Sequence, residues 1–313
     1  MPTYNILIAD GLEDNGQAIL RSSANVDDCR DISLEELLKI IEGYDALIVR
    51  SRTKVTAQVF DVAGRLKVVG RAGVGVDNID LEAARSHGVT VVNAPASTSL
   101  AVAELTFGLM LSLAREIPRA DAGLKQGAWL KKDLAGEELF GKTLGIIGMG
   151  RIGTEVGKRA VAFGMTVLGY DVRNFAKEIT RRGVLPVELD DLYARADYIS
   201  LHVPLTDETR LMVDEQAFGR MKRGVRIVCT ARGGIIDESA LLAALESGQV
   251  AGAALDVFAS EPPGATGLVG HPRVIATPHI GAQTIEAQMR AAEDIANEVL
   301  AALNDEPLRW KVV

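Results

Sequence analysis

Two cysteines in 313 residues, Cys29 and Cys229, are too few for a disulfide framework or a cysteine-built zinc cluster. No metal site is expected, and both thiols read as ordinary semi-buried side chains. Positive charge is also in short supply. Against 42 Asp and Glu stand 34 Lys and Arg, a formal charge of −8 with pI near 5.2. That balance gives no support to nucleic-acid binding or to an anionic membrane surface. An anionic substrate would need a local basic pocket inside an acidic whole. No uncharged apolar stretch is long enough to span a bilayer. The start Met1-Pro-Thr-Tyr-Asn-Ile-Leu-Ile8 lacks a basic region followed by a long apolar one, so no secretory signal is read. The expectation is a cytoplasmic protein. Low-complexity tracts and short repeats are missing as well.

What is present is length for two domains, 48% apolar residues and an alternating pattern. In the first ~95 residues, segments 4–9, 46–49, 67–70 and 90–92 read as strands. Segments 15–21, 34–42, 56–63 and 80–87 read as helices. Such alternation predicts an α/β fold with a parallel sheet covered on both faces. Residues 93–99 form a breaker cluster, and an uninterrupted apolar helix follows over 100–115, expected to be buried nearly all round. Residues 136–141 carry a second boundary signal. From Lys142 six more strands are expected, at 144–147, 166–169, 198–201, 226–229, 252–255 and 274–276. An amphipathic helix over 284–303 is expected to return to the first domain and make it discontinuous.

The most informative segment runs from Lys142 to Gly153, a buried strand entering a Gly-x-Gly-x-x-Gly turn that opens a helix. Gly148 permits the tight turn, Gly150 lets backbone approach a pyrophosphate, and Gly153 lets helix pack on strand. Amide N–H groups and the helix dipole then hold phosphates. Asp171 follows roughly 20 residues beyond the last glycine, after a second apolar run. A carboxylate there can accept both ribose hydroxyl hydrogen bonds and would repel a 2′-phosphate. NAD is therefore expected rather than NADP, although Arg173 lies close by.

Three polar residues fall at strand ends or in the loops after them: Arg232, Glu261 and His279. In open parallel sheets ligands bind beyond the carboxyl ends of strands. Hydride transfer to a 2-oxo acid uses these residue types. Arginine pairs with the carboxylate and polarises the carbonyl. Protonated histidine delivers the proton, and a carboxylate behind the imidazole fixes its tautomer. Asp256 is a candidate to orient the nicotinamide carboxamide. Each residue alone has a plainer reading: Arg232 as an ion-paired side chain, His279 as structural, Glu261 as a turn residue before Pro262-Pro263. His87, His202 and His271 have no comparable context, and His202 is expected to pack beside the cofactor.

Together, Gly148-Met-Gly-Arg-Ile-Gly153, Ala231-Arg-Gly-Gly-Ile-Ile-Asp-Glu238, Ala254-Leu-Asp-Val-Phe258, Glu261-Pro-Pro263 and Pro278-His-Ile-Gly-Ala282 resemble the D-isomer-specific 2-hydroxyacid dehydrogenase family over essentially the whole chain. The text around Leu47-Ile-Val-Arg-Ser51, Gly70-Arg-Ala-Gly-Val-Gly-Val-Asp-Asn78 and Leu139-Phe-Gly-Lys-Thr-Leu-Gly145 is most similar to its phosphoglycerate dehydrogenase branch. The resemblance implies two doubly wound parallel-sheet domains. One is a Rossmann NAD-binding domain over 98–284. The other is a discontinuous flavodoxin-like substrate domain over 1–97 and 285–313. It implies Arg232, Glu261 and His279 as catalytic residues. It implies cofactor contacts from Val74, Gly148, Gly150, Arg151, Ile152, Gly153, Asp171, Val203, Thr209, Thr230, Ala231, Asp256, Gly281 and Ala282. Arg50, Ser51, Arg71, Gly73 and Val74 would face the substrate. A homodimer or homotetramer is implied, with Lys131 and Lys132 near the partner subunit.

Arg50, Arg52, Lys54 and Arg71 would suit a phosphorylated substrate, the alternative being that Arg52 and Lys54 merely solubilise a loop. The chain departs from the branch at Thr98, where an asparagine is usual, and at Cys229-Thr-Ala-Arg232. Since no regulatory extension follows Val313, serine is not expected to inhibit. The leading expectation is NAD-dependent oxidation of 3-phosphoglycerate to 3-phosphooxypyruvate; the competing ones are a glyoxylate or hydroxypyruvate reductase, another D-2-hydroxyacid dehydrogenase, or an NADH-binding corepressor-like interaction protein.

Overall fold

A computed structural model describes residues 4–173 and 179–313; Met1-Pro2-Thr3, with which the signal-peptide reading began, lie outside them. The chain divides into two compact units. The first holds the chain up to Ser99 together with Ala282–Val313, and the second is Leu100–Gly281.

The first unit carries a five-stranded parallel sheet among the described residues. Its strands are β1 (Tyr4–Ile8), β2 (Ala24–Asp28), β3 (Ala46–Val49), β4 (Val68–Arg71) and β5 (Thr90–Asn93), in the order β2-β1-β3-β4-β5. Residues along each strand alternate between two cores, because side chains of successive residues leave opposite faces. Leu7, Leu47, Val69 and Val91 pack with Leu37, Val59, Phe60 and Ala84 from α2 (Leu34–Ile40), α3 (Ala57–Val62) and α4 (Leu81–Ser86). Ile6, Ile48, Val68 and Val92 pack with Leu20 of α1 (Asp14–Arg21) and with the C-terminal helix (Ile285–Leu303) through Ala292, Ile295, Ala296 and Val299. Both faces are thus buried, as the unbroken apolar run of β3 requires. The last residues run antiparallel beside β5, with Val312 N–H donating to Val91 O at 2.8 Å. They cover an edge that would otherwise expose unpaired backbone groups. Buried Glu298 holds this tail by accepting from the N–H groups of Arg309 and Trp310, both at 3.0 Å.

The second unit opens with α5 (Ser99–Arg115, its first residue in the first unit) and α6 (Ile117–Lys125), then a seven-stranded parallel sheet. Its strands are β6 (Thr143–Ile147), β7 (Thr166–Tyr170), β8 (Val184–Pro186), β9 (Tyr198–Leu201), β10 (Val225–Cys229), β11 (Val250–Leu255) and β12 (Val274–Ala276), in the order β12-β11-β10-β9-β6-β7-β8. Reversal of strand order beside β6 marks the dinucleotide-binding switch point of doubly wound sheets. One face packs on α5 and on α7 (Arg151–Ala162) through Phe107, Met110, Val156 and Ala160. The other packs on α8 (Leu189–Arg195), α9 (Glu215–Arg220) and α10 (Glu238–Glu246) through Leu192, Tyr193, Phe218 and Leu241.

Four sequence expectations change. Ala24–Asp28 and Val184–Pro186 are strands that no apolar run announced, so among the described residues the sheets have five and seven strands where four and six were expected. Residues 136–141 lie within the second unit and mark no boundary between units. Helix α5 leaves Leu100, Glu104, Gly108 and Arg115 exposed, a stripe spaced by one or two helical turns, so its burial is not all round. The chain passes from one unit to the other between Ser99 and Leu100 and between Gly281 and Ala282, two to three residues from the positions expected.

Candidate active site

The glycine turn follows the carboxyl end of β6. Gly148 has φ +95°, and a Cβ there would lie 2.6 Å from the His202 carbonyl oxygen. Both facts require glycine. A Cβ at Gly153 would strike the Gly148 carbonyl, so its absence lets the first turn of α7 sit against the strand end. Gly150 is the residue before α7, and a Cβ on it would meet no protein atom. The space beside it is open at the helix N-terminus, where anions are stabilised. Asp171 follows β7. Its carboxylate accepts from Met149 N–H at 2.7 Å and from Arg173 N–H at 2.9 Å. The glycine turn itself therefore orients the acid expected to read the ribose. Arg151 and Ile152 open α7 directly behind.

Arg232, Glu261 and His279 come from the loops after β10, β11 and β12. These strands are adjacent and in register, Cys229 beside Leu255 and Leu255 beside Ala276. All three loops thus leave one end of the sheet, the end that also carries the glycine turn. His279 Nδ1 lies 2.7 Å from Glu261 Oε2. The other oxygen of Glu261 accepts from Phe258 N–H at 3.2 Å. With Nδ1 facing a carboxylate, the imidazole carries its hydrogen there, which leaves Nε2 for exchange with a ligand. Both side chains are partly exposed, at 44% and 38%. Arg232 is half-buried and donates to the Ala231 carbonyl at 2.7 Å. Gly233 beside it has no room for a Cβ, which would fall on the Phe258 carbonyl. The Arg232 loop is pressed against the loop bearing Glu261 at that point.

Two residues position this pair without having been singled out for it. Asp256, 1% exposed, accepts from Thr277 Oγ1 at 2.6 Å, Ile280 N–H at 2.8 Å and Gly281 N–H at 2.8 Å. Its own carbonyl accepts from His279 N–H at 2.9 Å. His279 has φ +51°, uncommon for a side chain with a Cβ, and these bonds hold it there. Glu238 Oε1 accepts from Ala259 N–H at 2.7 Å and steadies the Glu261 loop. Its place in the Ile-Ile-Asp-Glu text was the available signal.

The other expected cofactor residues in this unit line the same strand ends. Val203 lies beside Gly148. Thr209 donates to Pro204 O at 2.6 Å and closes its own turn. Thr230 Oγ1 is 3.0 Å from Thr106 Oγ1, with Ala231 buried next to it. Gly281 is held by Asp256. Burial lowers the His202 pKa to about 3, and its Nε2 sits 2.8 Å from Ser200 Oγ, the packing role expected.

Val74, Ala282, Arg50, Ser51, Arg71 and Gly73 belong to the first unit. Arg50 and Ser51 follow β3, while Arg71 ends β4 and Gly73 and Val74 follow it; Val49 pairs with Arg71 in register. Ala94 N–H donates to Gly73 O at 2.9 Å and Asn93 Nδ2 to Val74 O at 2.6 Å. The basic loop is less available than its composition suggested. Arg50 pairs with Glu13 at 3.1 Å. Arg52 pairs with Asp10 at 3.1 Å and donates to Ala9 O at 2.8 Å, so it is a structural residue of this loop. Lys54 is exposed. Thr98, at the departure from the expected asparagine, is buried.

Residues 107–281 match the family model for the D-isomer specific 2-hydroxyacid dehydrogenase NAD binding domain. D-3-phosphoglycerate dehydrogenase of Rattus norvegicus is 50% identical over 292 residues, which cover 93% of this chain and 55% of that protein. The chain spans about half the length of the curated relatives it matches. A glyoxylate reductase structure from Paecilomyes thermophila superimposes with TM-score 0.92 at 31% identity, covering 100% of this chain and 99% of that one. D-lactate dehydrogenase from Aquifex aeolicus, complexed with NAD and lactic acid, has TM-score 0.86 at 31% identity and 96% coverage of both chains.

Proposed function

The chain belongs to the D-isomer specific 2-hydroxyacid dehydrogenase family, and on that premise we propose that it oxidises 3-phosphoglycerate to 3-phosphooxypyruvate, the reaction that feeds serine synthesis. The observation that carries the chemistry is the His279–Glu261 pair, set at the same sheet end as Arg232 and the glycine turn. The substrate is inferred from the half-length, near-50% identity to D-3-phosphoglycerate dehydrogenases.

Gly148, Gly150, Arg151, Ile152, Gly153 and Asp171 would hold NAD, with Val203, Thr209, Thr230, Ala231, Asp256 and Gly281 of the same unit. Once bound, NAD supplies the hydride acceptor and NADH the donor. His279 Nε2 takes the proton of the substrate hydroxyl in oxidation and returns it in reduction. Glu261 keeps the ring in the tautomer with hydrogen on Nδ1. Arg232 pairs with the substrate carboxylate and polarises the oxo group. Arg50, Ser51, Arg71, Gly73 and Val74 receive the rest of the substrate.

A second reading is favoured by one observation. Arg50 and Arg52 spend charge on Glu13 and Asp10, which suits a small unphosphorylated oxo acid. Initial rates of NADH oxidation with 3-phosphooxypyruvate, hydroxypyruvate, glyoxylate and 2-oxoglutarate separate the two. Preference for the phosphorylated acid is expected. Preference for glyoxylate or hydroxypyruvate would replace the substrate and keep the chemistry.

A cytoplasmic homodimer or homotetramer belongs to the same proposal. Trp129, Phe140, Leu124 and Ile117 are exposed at 78%, 74%, 60% and 50%. Apolar side chains gathered along residues 117–140 suit burial against a second copy.

A further inference from the structure

We propose that Asp10 and Asn78 are positioning residues that clamp the loop after β3 and set its spacing from the loop after β4. The proposal rests on the reading that Arg50, Ser51, Gly73 and Val74 face the substrate. Asp10 lies just beyond β1, and its side chain is 3% exposed. One carboxylate oxygen accepts from the N–H groups of Arg50 at 2.7 Å and Thr53 at 3.1 Å. The other accepts from Thr53 Oγ1 at 2.6 Å and pairs with Arg52 at 3.1 Å. Asn78 takes the opposite polarity at the same two residues. Its Nδ2 donates to Arg50 O at 2.9 Å and to Thr53 O at 2.6 Å.

Residues 50 and 53 are thus each held twice, by N–H to Asp10 and by C=O to Asn78. At these two residues the backbone meets its hydrogen-bonding needs through two side chains rather than through a helix or sheet ladder. Asn78 sits on the segment that carries Gly73 and Val74. That segment is stitched to the first loop again by Val55 N–H on Asn78 O at 2.8 Å and Asp80 N–H on Val55 O at 2.9 Å. Shifting either side chain would change the distance between the two substrate-facing segments. A small misplacement of binding groups weakens capture of the substrate, because the loop must then be ordered on binding. The effect belongs in KM for the oxo acid. NADH affinity, which depends mainly on residues of the second unit, would be untouched.

The test compares Asn78→Asp, Asn78→Ala, Asp10→Asn and Arg50→Ala, with 3-phosphooxypyruvate and hydroxypyruvate as substrates. Asp matches Asn in shape but cannot donate to two carbonyls. Asn78→Asp and Asn78→Ala are therefore expected to raise KM alike, by about tenfold or more. kcat should stay within about threefold, with the NADH Kd from fluorescence unchanged. Asp10→Asn keeps one acceptor oxygen and should raise KM less. Near-normal KM in Asn78→Asp would overturn the clamp, since shape alone would then suffice. Loss of NADH binding or of folding in the two isosteric variants would also overturn it, assigning both residues to general stability. If Arg50→Ala leaves KM unchanged, the substrate reading of this loop fails. If Arg50→Ala raises KM while Asn78→Asp does not, that reading stands and the clamp alone falls.

Discussion

His279 Nδ1 lies 2.7 Å from Glu261 Oε2, and His279 reaches that position with φ +51°. The backbone conformation is uncommon for histidine, and Asp256 holds it through both its carbonyl and its carboxylate. Such a cost at one residue fits a side chain that must point in one direction.

Replacing His279 with Ala removes the group proposed to exchange the substrate proton. kcat is expected to fall about 10²–10⁴-fold, with NADH binding retained. Glu261→Gln keeps a hydrogen-bond acceptor but not the charge, and a smaller loss is expected. Steady-state rates paired with NADH fluorescence titration check both. Near-normal turnover of His279→Ala would remove it from the mechanism.

Asp171 is oriented by the Met149 and Arg173 amides. Asp171→Ala deletes the negative charge proposed to oppose a 2′-phosphate. The ratio of kcat/KM for NAD over NADP is expected to fall by about tenfold or more. An unchanged ratio would show that selectivity comes from elsewhere.

His202 makes acid stability measurable. Burial lowers its pKa from 6.5 to about 3. Between those values the unfolded chain binds a proton that the native ring refuses. Its contribution is present above pH 6.5 and is lost as pH falls toward 3, at up to about 1.4 kcal/mol per pH unit. Urea unfolding at several pH values should give His202→Gln a shallower acid decline than the parent. Parallel declines would mean that the buried ring is not the group responsible.

Much of the site was legible in the text because its demands are local. A turn at φ +95° and a helix seated on a strand each require glycine, and the glycine between them leaves the helix start open for a ligand's approach. The missed strands had no such signature. Ala24-Asn-Val-Asp-Asp28 is largely polar and Val184-Leu-Pro186 is three residues ending in proline. Both lie at sheet edges, where pairing on one side needs no apolar run. The positioning roles of Asp256 and Asp10 were hidden for another reason. Asp256 reaches residues 24 and 25 positions away, and Asp10 reaches one 40 away.

By itself the amino-acid sequence determined the α/β alternation, the glycine turn with its distant acid, and the three loop residues that suit hydride transfer. Local backbone geometry and burial periodicity impose those patterns on neighbouring positions. Only the tertiary structure decided which charges are committed. Arg50 and Arg52 read as suited to a phosphorylated substrate, yet the fold sets them against Glu13 and Asp10. The physical reason is that an ion pair depends on distance through space, and that distance is unknown until the strands are placed side by side.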